Sequence, residues 1–399
     1  MNTRNSPLSL LLIAYASYIV VGMPLATLNI TWTYIQPTFE VTLGSLGILL
    51  GALTTGYLFA SVISGRVVGR LGMGNTLVIG SIIAAGGMLS YVLAPNWPVF
   101  LVCSLFFSTG LCLLDTGLNT FVSAHYSAGR LNWMHAAFGV GATVGPLAAT
   151  FVITRLSQSW RASYLVILVC FLLIMVCLLV TRRGWDSASG EPSTSRETGP
   201  SLRETLAVPL VMLLLALSFV YGGAQVSAAQ FANSLFIDAR SISQETAGFW
   251  IGVYWLCFTL GRVLMGFIAD RVSIQWLLRT TMIGAVLGAG LLSIKAAPTV
   301  GFLGLALIGF SLAPIFPMLI AVTPRQVGAR HAANTIGFEI AMLNAGAAVI
   351  PGFGSFLFER TRLELIGPFI AAVALAMFLL HEWLILRQTR LALRRKVEP

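Results

Sequence analysis

Within the long apolar runs of this chain only two acids stand well inside, Asp115 and Glu339. A charged side chain in a bilayer is costly unless paired or hydrated, so an intramembrane acid is a functional candidate by default. Asn119 follows Asp115 by four residues, which places both on one helical face. His135 comes shortly after a brief polar interval, so a chain that turns back antiparallel brings it to a similar depth. We therefore expect an Asp115–Asn119–His135 cluster. A carboxylate withdrawn from water is costly to keep charged, so it can exchange a proton as its surroundings alternate between wet and closed. An imidazole titrates near neutrality and can either hold the carboxylate charged or hydrogen-bond a solute hydroxyl. The competing reading is structural: Asp115 clamps the turn and His135 satisfies it.

The other polar residues in the runs suggest a site for a polyhydroxylated solute. Tyr221 and Gln225 are four residues apart and share a helix face, as do Trp250 and Tyr254. Amides supply paired donor and acceptor contacts to vicinal hydroxyls, while aromatic faces cover apolar C–H surfaces. Asn29, Trp32 and Asn344 are further candidates, with Gln230 and Asn233 behind them. Such residues also form interfacial belts and bridge helices. Glu339 lies near Arg330, His331 and Asn334, where a salt-bridged gate or end anchor competes with solute contact. Arg262, His381 and Glu382 sit near the ends of their runs and are expected to reach the interface.

The elements that hold these residues follow from composition. Of 399 residues 57% are hydrophobic and 10% are charged, whereas soluble proteins carry about 25% charged residues. A soluble enzyme and a nucleic-acid binder are excluded, despite a formal net charge of +10. Twelve apolar segments can each cross a bilayer, near 8–31, 43–65, 76–94, 98–121, 132–154, 161–181, 206–232, 247–269, 276–294, 300–322, 333–357 and 366–386. The expected organisation is a six-helix bundle over 1–181, a linker over 182–205 and a second bundle over 206–399, ending in a basic tail. With the N-terminus inside, 18 of the 24 Lys and Arg fall on the inner side. The positive-inside rule then puts both termini and the linker in the cytoplasm. All five cysteines lie in apolar runs and read as small buried hydrophobes. Pro24, Pro314 and Pro317 should bend the first and tenth segments. No phosphate-binding loop, HExxH or nucleophile elbow is present, so an enzyme and direct ATP use are not expected.

The halves repeat. Gly47, Gly51, Gly65 and Arg70 correspond to Gly248, Gly252, Gly266 and Arg271 at an offset of 201. Gly141, Ala142 and Pro146 correspond to Gly346, Ala347 and Pro351 at an offset of 205. Two parallel repeats of six helices suggest halves that rock around a central site.

On these features the whole chain resembles the major facilitator superfamily. The second-half loop Gly266-Phe-Ile-Ala-Asp270-Arg271 matches the family's G-x-x-x-D-R pattern, while the first-half copy from Gly65 to Arg70 has Gly69 in place of the aspartate. The resemblance implies a latching role for these loops. Leu114-Asp115-Thr116-Gly117-Leu118-Asn119, with Arg130-Leu131-Asn132-Trp133-Met134-His135, is most similar to the fucose:proton symporter and sodium–glucose transporter group. That resemblance implies cation coupling at Asp115 and sugar contact at the position of His135. Tyr221-Gly-Gly-Ala-Gln225 is similar to that group's Y-x-G-x-E, with Gln for Glu, and the acid those symporters carry on helix 1 is absent here.

The combined expectation is an all-α membrane protein of twelve transmembrane helices that imports a monosaccharide or similar polar solute by alternating access. A proton gradient is the expected driving force, rather than a sodium gradient, and no cofactor or metal is needed. Asp115 and His135 carry the coupling. Asn119, His135, Gln225, Tyr221, Asn29, Trp32, Trp250, Tyr254 and Asn344 bind solute. Gly65, Arg70, Gly266, Asp270, Arg271 and Glu339 form turns and gates. A monomer in the plasma membrane, of the bacterial inner-membrane kind, suffices. The alternatives are an exporter of drugs, amphiphiles or lipid-linked sugars, and a non-transporting sensor built on the same fold.

Overall fold

A computed structural model describes residues 7–41, 45–188, 200–295 and 297–397. The side chains of Asn29 and Asn233, both solute-site candidates, lie outside the described set. The described chain is helical throughout and contains no strand. Its long helices are α1 (Pro7–Thr38), α2 (Ser45–Leu71), α3 (Met73–Leu93), α4 (Trp97–His125), α5 (Ala128–Thr154) and α6 (Trp160–Ala188). After the short α7 (Leu202–Leu206) come α8 (Pro209–Ser234), α9 (Gln244–Ile268), α10 (Ile274–Leu292), α11 (Pro298–Leu312), α12 (Ile315–Val327), α13 (Ala329–Arg360) and α14 (Ile366–Val397). Together they supply twelve stretches long and apolar enough to cross a membrane. Helices suit this role because each pairs its backbone polar groups internally, where no water is available to do so.

The chain divides into two compact units. One comprises Met1–Tyr126, Trp133–Ser201 and Ala329–Gly337; the other comprises Ser127–Asn132, Leu202–Gly328 and Phe338–Pro399. Their internal packing repeats. In the first unit α3 packs on α4 and α6, α2 on α4, and α1 on α6. In the second, α10 packs on α11 and α14, α9 on α11, and α8 on α14.

The repeat extends to single glycines. A Cβ on Gly141 of α5 would sit 1.8 Å from the Ile19 carbonyl oxygen of α1, and one on Gly22 of α1 would sit 2.2 Å from that of Phe138. The second unit has the same reciprocal contact between α8 and α13. A Cβ on Gly346 would lie 1.8 Å from the Phe219 oxygen, and one on Gly222 would lie 2.0 Å from that of Leu343. At these crossings backbone meets backbone, a packing mode that favours small residues in membranes.

Two expectations need correction. Helix α6 runs on through Ala188 instead of ending at residue 181. Trp185 explains the extension: it is buried, its indole N–H donates to Thr181 Oγ1 at 3.0 Å, and its ring meets Phe121. Among the cysteines only Cys112 is buried, while Cys177 is exposed on its unit's surface. Beside lipid, burial in protein is not needed to shelter an apolar side chain. The tenth span is divided at Ala313 and Pro314 into α11 and α12, whereas Pro24 lies within the continuous helix α1.

Arg262 accounts for how that division is tolerated, and it does not snorkel. Pro317 has no N–H to give the Ala313 carbonyl, its helical partner four residues back. Arg262 Nε donates to that oxygen instead, at 3.3 Å, with its guanidinium over the Phe258 ring at 4.4 Å. Arg262→Met should lower stability by about 1–3 kcal/mol, the cost of an unpaired buried acceptor. A thermal unfolding midpoint in detergent equal to that of the parent protein would remove this role.

Candidate functional site

The polar centre of the first unit is Asp115, half-buried on α4. Its two carboxylate oxygens are held from two other helices. The Tyr18 hydroxyl of α1 donates to Oδ1, and the Tyr57 hydroxyl of α2 donates to Oδ2. Asn119, one turn along α4, donates from Nδ2 to Oδ1 at 2.9 Å and to the Asp115 carbonyl at 3.0 Å, and also to the Tyr18 oxygen. Its amide oxygen lies 3.0 Å from His135 Nε2 on α5. An amide oxygen only accepts, so this contact assigns the hydrogen to Nε2. The Tyr18 and His135 rings meet edge to face at 5.3 Å. Asn119 is fully buried, Tyr18 is 1% exposed and His135 is 7% exposed.

The arrangement joins four helices through one acid. Among the described residues no cation pairs with Asp115; its charge is met by two phenols and an amide. Protonating the carboxyl turns one acceptor oxygen into a donor, so at least one of these partners must reorient. Asn119 carries that change onward, because its amide nitrogen faces Asp115 and its amide oxygen faces His135. Sequence spacing brings Asp115, Asn119 and His135 together as expected. It misses Tyr18 and Tyr57, which lie 97 and 58 residues from Asp115 in the chain. A tyrosine inside an apolar run has no mark distinguishing it from an ordinary core residue.

The other candidates are placed elsewhere. Trp32 packs against Trp97 at the opposite end of α4, among Phe39, Phe100 and Trp160. At about 1.5 Å of rise per residue, Trp97 and Asp115 stand about 27 Å apart along that helix. Tyr221, Gln225, Trp250, Tyr254 and Asn344 all belong to the second unit. Tyr254 donates to the Gln225 carbonyl at 3.2 Å, and Tyr221 stacks on Phe316 with Arg262 beside its hydroxyl, outside hydrogen-bond geometry. Trp250 stacks on Phe302 at 4.9 Å, and the Asn344 side chain bonds back to the Ile340 carbonyl at 2.8 Å. Gln225 is half-buried, and Gln230 is exposed.

Among the described residues no cation forms a salt bridge with Glu339. It is fully buried on α13, and both its oxygens accept from Thr323 Oγ1 of α12, at 3.1 and 3.0 Å. Asp270 accepts from Ser127 Oγ at 2.6 Å and from the Gly129 amide at 2.9 Å. Gly129 itself lies so near the Gly266 carbonyl that a Cβ would approach it to 2.4 Å. A Cβ on Gly65 would meet the Asn334 amide nitrogen at 2.6 Å, whereas Arg70 and Arg271 are exposed. No three His, Cys, Asp or Glu side chains converge as metal ligands among the described residues.

The profile of the Major Facilitator Superfamily matches residues 14–236 and 213–398. Among proteins, the glucose/mannose transporter GlcP of Bacillus subtilis is 22% identical, over 85% of each chain. Among solved structures, the fucose:proton symporter FucP of Escherichia coli in its outward conformation superposes with a TM-score of 0.78 at 16% identity, covering 96% of this chain and 99% of that one. A bacterial homologue of the iron transporter ferroportin also reaches a TM-score of 0.78, at 12% identity, covering 93% and 98%. The shared feature is the fold, and transporters with quite different cargo have it.

Proposed function

Because the chain belongs to the major facilitator superfamily of membrane transporters, we propose that it carries a monosaccharide or similar polar solute across the membrane in symport with a proton. The observation that carries this reading is the Asp115 network. One half-buried acid is held, among the described residues, by neutral donors and linked through Asn119 to His135. Such an acid can gain and lose a proton without breaking an ion pair, and each change alters the donors and acceptors offered at His135. Asp115 is the proton carrier, Tyr18 and Tyr57 are its positioning residues, and His135 with Asn119 reads its state on the solute side. Within the second unit Tyr221, Gln225 and Tyr254 are the proposed solute-binding residues, and Asp270 with its Ser127 and Gly129 donors acts as a latch. Both termini face the cytoplasm, in keeping with the arginine distribution. The names of GlcP and FucP support a sugar as the cargo.

Purified protein in proteoliposomes, offered labelled hexoses, pentoses and deoxy sugars under an imposed proton or sodium gradient, tests the reading. Accumulation of one sugar under the proton gradient alone is the expected result. Uptake of no polar solute under either gradient defeats it.

A further inference from the structure

We infer that the second unit holds a separate site for a hydroxyl-bearing phosphate ester, at the end of the bundle where α10 begins. A cavity of about 650 Å3 opens there between α8, α10, α12 and α14. Its apolar lining includes Leu210, Leu278, Leu319 and Leu384, one from each of the four helices. Also lining it are Arg325 and Gln326 from the end of α12, His381 and Gln388 from α14, and the first residues of α10 after its Ser273 cap. Three buried polar atoms on this lining have no hydrogen-bond partner, namely Gln326 Oε1, His381 Nε2 and Gln388 Nε2. Buried polar groups in native structures are nearly always satisfied. Three unsatisfied atoms around one cavity therefore mark a ligand.

The chemistry of that ligand follows from the lining. His381 is 1% exposed. Its Nδ1 lies 3.2 Å from Glu382 Oε1, and Glu382 is itself held by Arg279 at 2.7 and 2.8 Å. A carboxylate accepts, so Nδ1 carries the hydrogen, and Nε2 of the neutral ring is left as an unpartnered acceptor on a residue that borders the cavity. Gln326 Oε1 is a second acceptor, and both call for hydroxyl groups. Arg325, Gln388 Nε2 and the positive end of α10 call for an anion, and no acid lines the cavity. A phosphate carrying a hydroxylated substituent meets both demands.

The first repeat shows the same position already filled. The start of α3, which packs on α4 and α6 as α10 packs on α11 and α14, is closed by Asp186 from α6, whose Oδ1 accepts from the Gly74 amide at 3.0 Å. In the second repeat the last helix contributes the neutral Gln388 to the cavity that the start of α10 lines. The anion then comes from outside the chain. Depth favours a lipid source: the spans of α8 and α10 begin at Pro209 and Ile274, and those of α12 and α14 end at Val327 and Thr389. These span ends put the proposed site near the level of lipid headgroups, with four lining leucines to meet an acyl chain.

The test uses the full-length protein in detergent, with thermal stabilisation and native mass spectrometry as readouts. The probes are short-chain phosphatidylglycerol, short-chain phosphatidylcholine and glycerol 3-phosphate. Phosphatidylglycerol is expected to bind and stabilise, and phosphatidylcholine, which lacks the hydroxyls, to do so much less. In Arg325→Ala and in Gln388→Leu its binding should weaken about tenfold or more, as for one charge-assisted hydrogen bond. Stabilisation by glycerol 3-phosphate as well would support the site with a soluble source. Binding of neither phosphatidylglycerol nor glycerol 3-phosphate by the parent protein, binding of phosphatidylcholine as strong as that of phosphatidylglycerol, or equal phosphatidylglycerol binding by a folded variant overturns the proposal. Transport is not the readout, so failure here leaves the assignment of Asp115 standing.

Discussion

Asp115→Asn is expected to abolish uphill uptake while leaving a folded protein that still exchanges solute. Asn is close in shape to Asp and keeps one oxygen for the hydroxyl of Tyr18 or Tyr57. Its new N–H2 group faces the other, which can turn to accept. The site stays assembled, but the group that takes and releases a proton is gone. With one proton per solute, an imposed pH difference drives about tenfold accumulation per unit, because one unit is worth 1.36 kcal/mol. The parent protein should follow that relation, with uptake rising as the pH on the uptake side falls. The variant should equilibrate at a ratio of about one at every imposed pH difference. Counterflow, which moves no net proton, should persist. Accumulation by the variant at the parent level would remove Asp115 from coupling, and loss of counterflow as well would indicate a structural role.

Gly141→Ala and Gly346→Ala should each destabilise the protein strongly, by about 1–3 kcal/mol or more. A new methyl carbon at either position falls 1.8 Å from a backbone carbonyl oxygen, and backbone cannot rotate out of the way as a side chain can. Relief requires α5 to move off α1, or α13 off α8, which opens the reciprocal contact at Gly22 or Gly222 as well. Gly47 and Gly252, members of the other sequence echo, supply the control. A Cβ at either meets nothing. Alanine there should leave stability unchanged or raise it slightly, since glycine is the poorer helix former by about 0.5–1 kcal/mol. The comparison is read as thermal unfolding midpoints in detergent. Equal midpoints across all four variants would show that the two crossings yield to a methyl group.

These glycines show where reading the chain succeeds and where it stops. Both echoes are visible as matching residues at a constant offset, yet they do unlike work. Gly47, Gly51 and Gly252 of the first echo face open space, whereas Gly141 and Gly346 of the second set how closely pairs of helices approach. Asp115, Asn119 and His135 were legible because local geometry links them: one helical turn joins the first two, and a short connection returns the chain to the third. Tyr18 and Tyr57 were not, because their distance to Asp115 depends on how α1 and α2 pack on α4. Glu339 illustrates the opposite error. Its basic neighbours in the chain suggested a salt bridge, but helical geometry directs its side chain toward Thr323 of α12.

Composition was enough to establish a bundle of twelve membrane-spanning helices, since length, apolarity and scarcity of charge are additive properties that need no three-dimensional contact. The same scarcity singled out Asp115 and Glu339, because a bilayer makes any charge conspicuous. What surrounds each polar group had to come from packing. The missing N–H of Pro317 is written in the chain, but the donor that replaces it, Arg262, lies 51 residues before the Ala313 carbonyl it serves. Likewise, no pattern along the chain announces that Gln326, His381 and Gln388 border one cavity. Hydrogen bonds act over about 3 Å, and only the folded arrangement of helices brings residues so far apart in the chain within that range.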